Sequence, residues 1–149
     1  ELLRRARDRF QQERQPSVIK HSEAFIGDVT GGRYKRLYSP IGEQTLTIIE
    51  ASGSPKSPDQ LSRGTREQLF LSLRFGLIKE YNEHSEALPV IVDEVLVNFD
   101  PDRAKRSCSA FANLSKTNQV IVFTCHPEMV DLFEAESDEC QVFDISSGS

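Results

Sequence analysis

Two adjacent acidic residues, Asp93 and Glu94, close a short apolar stretch in the second half of the chain. Before them stands Leu88-Pro89-Val90-Ile91-Val92, whose apolar run after Pro89 predicts a strand in a sheet covered on both faces. Ligands of open α/β sheets bind at the carboxyl ends of the strands, where both carboxylates are expected. Such a pair suits nucleotide hydrolysis, in which one carboxylate holds Mg²⁺ through water and the next orients and deprotonates the attacking water. Taken alone, the residues also fit the start of an ordinary helix or turn.

A second group of polar residues precedes the longest helical pattern in the chain. It reads Leu61-Ser62-Arg63-Gly64-Thr65-Arg66-Glu67-Gln68. Ser62 is suited to cap the helix because its hydroxyl can accept hydrogen bonds from first-turn amides, and Gly64 lets a ligand approach the backbone closely. A helix N-terminus carries free N–H groups and a partial positive charge, so it binds phosphate readily. The plain alternative is a capped helix with no ligand.

Two further motifs follow the acidic pair. The first is Val97-Asn98-Phe99-Asp100-Pro101, which is also a good helix start, and the second is Cys125-His126-Pro127 after the apolar run at 120–124. His126 follows a strand end, as Glu94 does, so the two side chains are expected to lie close together. A histidine in this position can also serve simply to pack a loop.

The predicted elements place these motifs in an α/β fold. Residues 1–15 form a charged helix with apolar residues about one turn apart, and Pro16 starts a second helix. In the helix at 63–84, Leu69, Leu73, Leu77 and Tyr81 are spaced to form one buried stripe. From residue 89 onward, strands and helices alternate, which predicts a largely parallel sheet flanked by helices. The full prediction is helices at 1–15, 17–29, 63–84, 101–116 and 127–136, strands at 34–39, 44–50, 89–93, 118–124 and 140–145, and a loop at 52–59.

Composition and charge limit the class of protein. The chain has 149 residues and a net charge of −5, but residues 1–36 carry nine Lys and Arg against five Asp and Glu, a net of +4. This early basic cluster could meet a phosphate backbone or form a solvated helix face, and the acidic remainder argues against broad DNA wrapping. Three cysteines without metal spacing suit a reducing cytosol, and no apolar stretch is long enough to span a membrane. His21 and His84 have no recognisable companions and receive no role.

In this order, the four motifs resemble the C-terminal half of an ABC-type ATPase head, with its signature motif, Walker B motif, D-loop and H-loop. Val95-Leu96-Val97 follows the acidic pair where transporter domains usually have Pro-Thr-Ser and a small residue, so the chain resembles the SMC branch of chromosome-maintenance and break-repair ATPases. Within that branch, residues 61–68 and Thr30-Gly31-Gly32-Arg33-Tyr34 look similar to the bacterial YhaN-like AAA-domain ATPases.

The resemblance implies ATP and Mg²⁺ as cofactors and gives roles to named residues. Glu94 would be the general base, His126 would hydrogen-bond the γ-phosphate and the attacking water, and Asp93 would serve Mg²⁺. ATP bound to a partner head would be contacted by four further residues, Ser62, Arg63, Gly64 and Asp100. Arg63-Gly64-Thr65 stands where the common pattern is Gly-Gly-Gln, so the role of Arg63 depends on this chain alone.

The chain contains no G-x-x-x-x-G-K-[ST] phosphate loop. The resemblance places that loop in an N-terminal lobe, separated from this part by a coiled coil. The expected organisation is the end of a returning coiled-coil arm at 1–15 and the C-terminal lobe of the head at 16–149. The isolated chain is therefore expected to be inactive.

The expected partners are the N-terminal Walker A lobe of the same protein, a second ATPase head in an ATP-dependent dimer, and DNA in the full-length protein, with no membrane. The implied function is ATP hydrolysis in DNA repair, recombination or chromosome maintenance, in the cytoplasm or at the nucleoid. Two alternatives stay open: a non-hydrolysing structural or regulatory half-head, and the nucleotide-binding half of a transporter.

Overall fold

The structure is a computed structural model that describes residues 16–39 and 45–145. The predicted arm at 1–15 lies outside the described residues. The chain divides into two compact units, one ending at Ala87 and the other beginning at Leu88. None of the helices in the described ranges combines the length and the hydropathy that a membrane span needs.

The first unit combines two helices with a small antiparallel sheet. Strands β1 to β3 pair in chain order, and Leu37 lies opposite Ile48. The first helix starts after Pro16 and ends before Gly31 and Gly32, whose positive φ angles of 62° and 78° suit glycine. The loop expected at 52–59 contains a short strand and a 3₁₀ turn. The elements are α1 Ser17–Val29, β1 Tyr34–Tyr38, β2 Thr47–Glu50, β3 Pro55–Lys56, a 3₁₀ turn Pro58–Gln60 and α2 Arg63–His84.

The two helices of this unit approach each other very closely at Gly76. A Cβ atom on Gly76 would lie 2.1 Å from Ser22 Oγ and 2.5 Å from the Val18 carbonyl oxygen. The predicted stripe on α2 is therefore wrong in its second half, because Leu77 is 57% exposed and Tyr81 is also exposed. The buried face of α2 instead includes the small residues Ser72 and Gly76, which permit the close approach to α1. It comprises Thr65, Gln68, Leu69, Leu71, Ser72, Phe75 and Gly76.

The second unit is built around two parallel strands joined through a helix. The elements are β4 Val90–Asp93, α3 Pro101–Leu114, β5 Val120–Phe123 and α4 Pro127–Glu136. Val90 lies opposite Val120 and Asp93 opposite Phe123, so both strands end at the same edge. The apolar face of α3 is buried, and the rings of Phe111 and Phe133 lie 6.0 Å apart and join α3 to α4.

Two expectations about this sheet are wrong for the described chain. One face is open, since Ile91 is 69% exposed and Phe123 is also exposed, so β4 is not covered on both faces. Residues 140–145 do not form a strand. A strand needs a neighbour to satisfy its backbone groups, and among the described residues β4 and β5 pair only with each other. The side chains of Val142, Phe143 and Ile145 are accordingly exposed.

Candidate functional site

Glu94 occupies an unusual backbone conformation directly after β4. Its φ angle is 48°, in the left-handed region, and among the described residues no other non-glycine residue has a positive φ. This conformation costs about 1–2 kcal/mol for an L-residue. The Glu94 N–H still donates to the Phe123 carbonyl oxygen at 3.1 Å, so the chain leaves the strand while it remains attached to β5. Strained residues of this kind cluster at functional sites.

The Glu94 carboxylate is held by residues that follow β5. The backbone N–H of Cys125 donates to Glu94 Oε1 at 2.6 Å, and the Thr124 hydroxyl donates to Oε2 at 3.4 Å. These contacts, the Cys125 N–H foremost, lower the pKa of Glu94, and the nearby His126 adds to the effect. The carboxylate is therefore held ionised at neutral pH, with a lower affinity for a proton than an unperturbed glutamate has.

His126 lies beside the same carboxylate at the start of α4. Its Nε2 is 3.8 Å from Glu94 Oε2, and its Nδ1 is 3.3 Å from Glu128 Oε1. The His126 backbone N–H donates to the Thr124 hydroxyl at 3.1 Å, which fixes the turn between β5 and α4. The expected proximity of Glu94 and His126 is thus present, with the imidazole between two carboxylates.

Thr124 and Cys125 complete the site, although the sequence analysis gave them no role. The Cys125 thiol lies beside the Glu94 carboxylate, where hydrogen bonding to it and its negative charge raise the pKa of the thiol. Their position immediately after β5 was the available signal, because parallel strand ends share one edge of a sheet. The side-chain donor atoms of Glu94, Cys125 and His126 lie within 4.8 Å of one another.

Asp93 ends β4 and lies outside that cluster. Its side chain is exposed, and alternation along the strand places it on the face opposite to the buried Val92. An exposed carboxylate at a strand end is accessible to a hydrated cation, which binds carboxylates while it keeps part of its water shell.

Ser62, Arg63 and Gly64 lie at the start of α2. Ser62 is the N-cap, and its Oγ accepts from the Thr65 N–H at 3.3 Å. Arg63 is 81% exposed, and its Nε donates to Glu67 Oε1 at 3.1 Å. Gly64 lies in the first turn, where backbone N–H groups have no partner within the helix.

Asp100 is the N-cap of α3. Its Oδ1 accepts from the Arg103 N–H at 3.0 Å, and Oδ2 lies 3.2 Å from Arg103 Nε. Pro101 follows at the first helical position. In this structure both Ser62 and Asp100 are used as helix caps.

The comparison of sequences finds related proteins, among them a bacterial one. Over 136 residues the chain is 28% identical to a Bacillus subtilis (strain 168) protein, "Uncharacterized protein YhaN". The aligned region covers 91% of this chain but 14% of YhaN, so the chain spans a small part of that relative. No protein-family model matches the chain.

Solved structures of SMC heads have a similar fold. One, described as "Structural biochemistry of ATP-driven dimerization and DNA stimulated activation of SMC ATPases", superposes with a TM-score of 0.67 at 18% identity, covering 89% of this chain and 80% of that one. The SMC head domain from Thermotoga maritima gives 0.62 at 22% identity, over 84% of this chain and 43% of that one. A Pyrococcus furiosus Smc head with an extended coiled coil, bound to the C-terminal domain of ScpA, gives 0.61 at 19% identity, over 82% and 30%. The chain therefore has the fold of the C-terminal part of an SMC-type ATPase head.

Proposed function

We propose that this chain is the C-terminal lobe of an SMC-like head that binds and hydrolyses ATP once a lobe carrying the phosphate loop is present. One observation carries the proposal: an ionised Glu94, in a strained conformation, lies 3.8 Å from His126 at the carboxyl ends of two parallel strands. A base and a neighbouring hydrogen-bonding group at this edge are what activation of a water molecule requires.

In this proposal Glu94 is the general base and His126 orients the water and the γ-phosphate. Oε1 of Glu94 is engaged by the Cys125 N–H at 2.6 Å, whereas Oε2 has only the longer, 3.4 Å contact with the Thr124 hydroxyl and lies beside His126, so Oε2 is the oxygen proposed to accept the proton. Asp93 fits a role toward Mg²⁺, since its exposed carboxylate is the kind of ligand that a hydrated Mg²⁺ prefers. When bound, Mg²⁺ supplies the charge that neutralises the phosphates.

The start of α2 would contact ATP held by a second head, in an ATP-dependent dimer. The exposed Arg63 can exchange Glu67 for a phosphate group, and Gly64 leaves the first-turn N–H groups accessible. Ser62 and Asp100 would contribute their side chains at the same interface. The similarity in fold to an SMC structure whose description names ATP-driven dimerization supports this part of the proposal.

The N-terminal lobe of the same protein would cover the open face of the β4–β5 sheet. Ile91, Ile121 and Phe123 expose apolar surface there, and contiguous patches of this kind mark interaction sites. The apolar residues at 140–145 would gain a strand neighbour from the same lobe. The organisation remains that proposed from the sequence, with an arm at 1–15 and the head lobe at 16–149.

In the full-length protein we propose a role in DNA repair, recombination or chromosome maintenance, in the cytoplasm or at the nucleoid. The likeness to SMC heads and the early basic cluster support it. A non-hydrolysing scaffold half-head is the second candidate. It is favoured by Ser62 and Asp100, because both side chains already serve as helix caps.

The test measures Mg·ATP binding and turnover by this chain, alone and mixed with its N-terminal lobe. We expect turnover only in the mixture, and we expect Glu94→Gln to abolish it while ATP binding persists. Glu134→Gln, which removes an exposed carboxylate on α4, is the control and should retain full activity. Turnover by the isolated chain would contradict the split site, and ATP binding without any turnover would favour the scaffold.

A further inference from the structure

His21, which has no recognisable companions in the sequence, lies beside two glutamates in the structure. Its Nε2 lies 3.1 Å from Glu83 Oε2 and 3.3 Å from Glu80 Oε2. The three donor atoms all lie within 4.8 Å of one another. His21 comes from α1 and both glutamates from α2, so the cluster joins two helices of the first unit.

The close helix contact at Gly76 creates this cluster. Ser22, the neighbour of His21, is the residue that a Cβ atom on Gly76 would strike. Glu80 lies one helical turn beyond Gly76, and Glu83 follows three residues later on the same side of α2. His21 is therefore brought directly against both carboxylates.

The cluster has more acceptor atoms than protons to share. An imidazole Nε2 carries at most one proton, but two carboxylate oxygens converge on it. The His21 Nε2 bonds to Glu83 at 3.1 Å, and Glu80 Oε2 is buried with no hydrogen bond of good geometry. Its 3.3 Å contact with His21 Nε2 is an ion pair without hydrogen-bond geometry, and a buried carboxylate oxygen that lacks a hydrogen bond is costly, so this arrangement favours a cation in place of the proton.

We propose that His21, Glu80 and Glu83 form a binding site for a divalent transition-metal cation, with Zn²⁺ as the best fit. One imidazole nitrogen and two carboxylate oxygens make a ligand set that Zn²⁺ accepts, with water in the fourth position. In a tetrahedral site with bonds of about 2.0–2.1 Å, neighbouring ligand atoms are separated by about 3.3 Å. The two distances from His21 match that separation, and two carboxylates balance the charge of the ion.

Such an ion would brace α1 against α2, the helix that begins at the proposed phosphate-contacting residues. All its ligands belong to the first unit, whereas Glu94 and His126 belong to the second. Binding to the folded chain but not to the unfolded chain raises thermal stability, which gives the site a readout that does not require ATP.

The experiment titrates ZnCl₂ into the 149-residue chain by calorimetry and follows the thermal midpoint. All proteins carry Cys125→Ser and His126→Gln, since the Glu94–Cys125–His126 cluster could also take up the metal. The two test variants are His21→Gln and Glu83→Gln. Glu83 is partly exposed, so its variant is expected to fold, and circular dichroism checks this. Glu86→Gln, the same substitution as in Glu83→Gln but on an exposed carboxylate just after α2, is the control.

We expect one equivalent of Zn²⁺ to bind and to raise the thermal midpoint. Loss of either ligand should weaken binding by about tenfold or more, while Glu86→Gln leaves it unchanged. Absence of Zn²⁺ binding, or unchanged affinity in His21→Gln, would overturn the proposal. An equal loss in Glu86→Gln would overturn the assigned set of ligands.

Discussion

The backbone N–H of Cys125 donates to Glu94 Oε1 at a distance of 2.6 Å. Cys125 follows the end of β5 and Glu94 follows the end of β4, so this hydrogen bond orients the Glu94 carboxylate across the edge of the sheet. The parallel register, with Asp93 opposite Phe123, brings these positions together. Oε1 is thereby fixed, and Oε2 lies toward Thr124 and His126. This contact defines which oxygen of the proposed base is available to a substrate.

The same contact predicts the reactivity of Cys125. Its pKa is raised foremost by the hydrogen bond to Glu94 and also by the carboxylate charge. Glu94→Gln removes the charge, so more of the thiol should ionise at neutral pH and alkylation should be severalfold faster, because the thiolate is the nucleophile. Mass spectrometry after a timed iodoacetamide pulse measures the rate.

Two other thiols serve as controls in that measurement. Burial raises the pKa of Cys108 to about 12, so this thiol should stay unmodified in both proteins. Burial also raises the pKa of Cys140, whose rate should not change with the substitution. An unchanged Cys125 rate would contradict the described position of the Glu94 carboxylate.

Gly76→Ala should destabilise the first unit and disturb the contact between α1 and α2. The added Cβ would lie 2.1 Å from Ser22 Oγ and 2.8 Å from the Ser22 backbone nitrogen, so backbone must move. Overpacking of this kind costs about 1–3 kcal/mol of the free energy of unfolding. Urea denaturation measures the loss.

Gly27→Ala is the matched control on the facing helix. The nearest atom to its added Cβ is the Tyr34 carbonyl oxygen at 3.9 Å, an ordinary contact. Alanine has the higher helix propensity, so this variant should be neutral or more stable by up to about 1 kcal/mol. A Gly76 variant as stable as the Gly27 variant would show that the helices do not cross at Ser22.

Asp100→Ala should shorten or weaken α3, because it removes the N-cap acceptor of the Arg103 N–H. Loss of an N-cap costs about 0.5–2 kcal/mol. Asp100→Ser restores the cap without the charge, so its free energy of unfolding should be close to that of the parent. A fall in ATP turnover of the assembled head in both variants would show that the Asp100 carboxylate has a role in turnover in addition to capping α3. Full turnover in Asp100→Ser would show that Asp100 serves only as the helix cap.

Ile91→Asn should weaken association with the N-terminal lobe and leave the stability of the isolated chain nearly unchanged. The side chain is 69% exposed, so substitution leaves no cavity in this chain. Pull-down or calorimetric titration with the N-terminal lobe measures the association. Leu77→Asn, which also replaces an exposed apolar side chain but in the first unit, is the control. An equal loss of association in the two variants would contradict docking on the open sheet face.

Local signals in the sequence were sufficient for several element boundaries. Pro16 and Ser62 mark the starts of α1 and α2, and the observed helices, Ser17–Val29 and Arg63–His84, match the predicted ranges. Caps and prolines act on neighbouring residues, so their effect is visible without knowledge of the fold. The predicted strand at 140–145 does not form, because a strand needs a neighbouring strand outside its own segment to pair its backbone groups.

Local sequence patterns are sufficient to place the polar residues along the chain: Asp93 and Glu94 after one apolar strand, His126 after the next, and Ser62 at a helix start. That follows from hydrophobic periodicity and capping, which are local. The left-handed turn at Glu94 and the contact of His21 with two glutamates of another helix arise only in the folded chain. Both depend on contacts between segments distant in sequence, which local patterns do not encode.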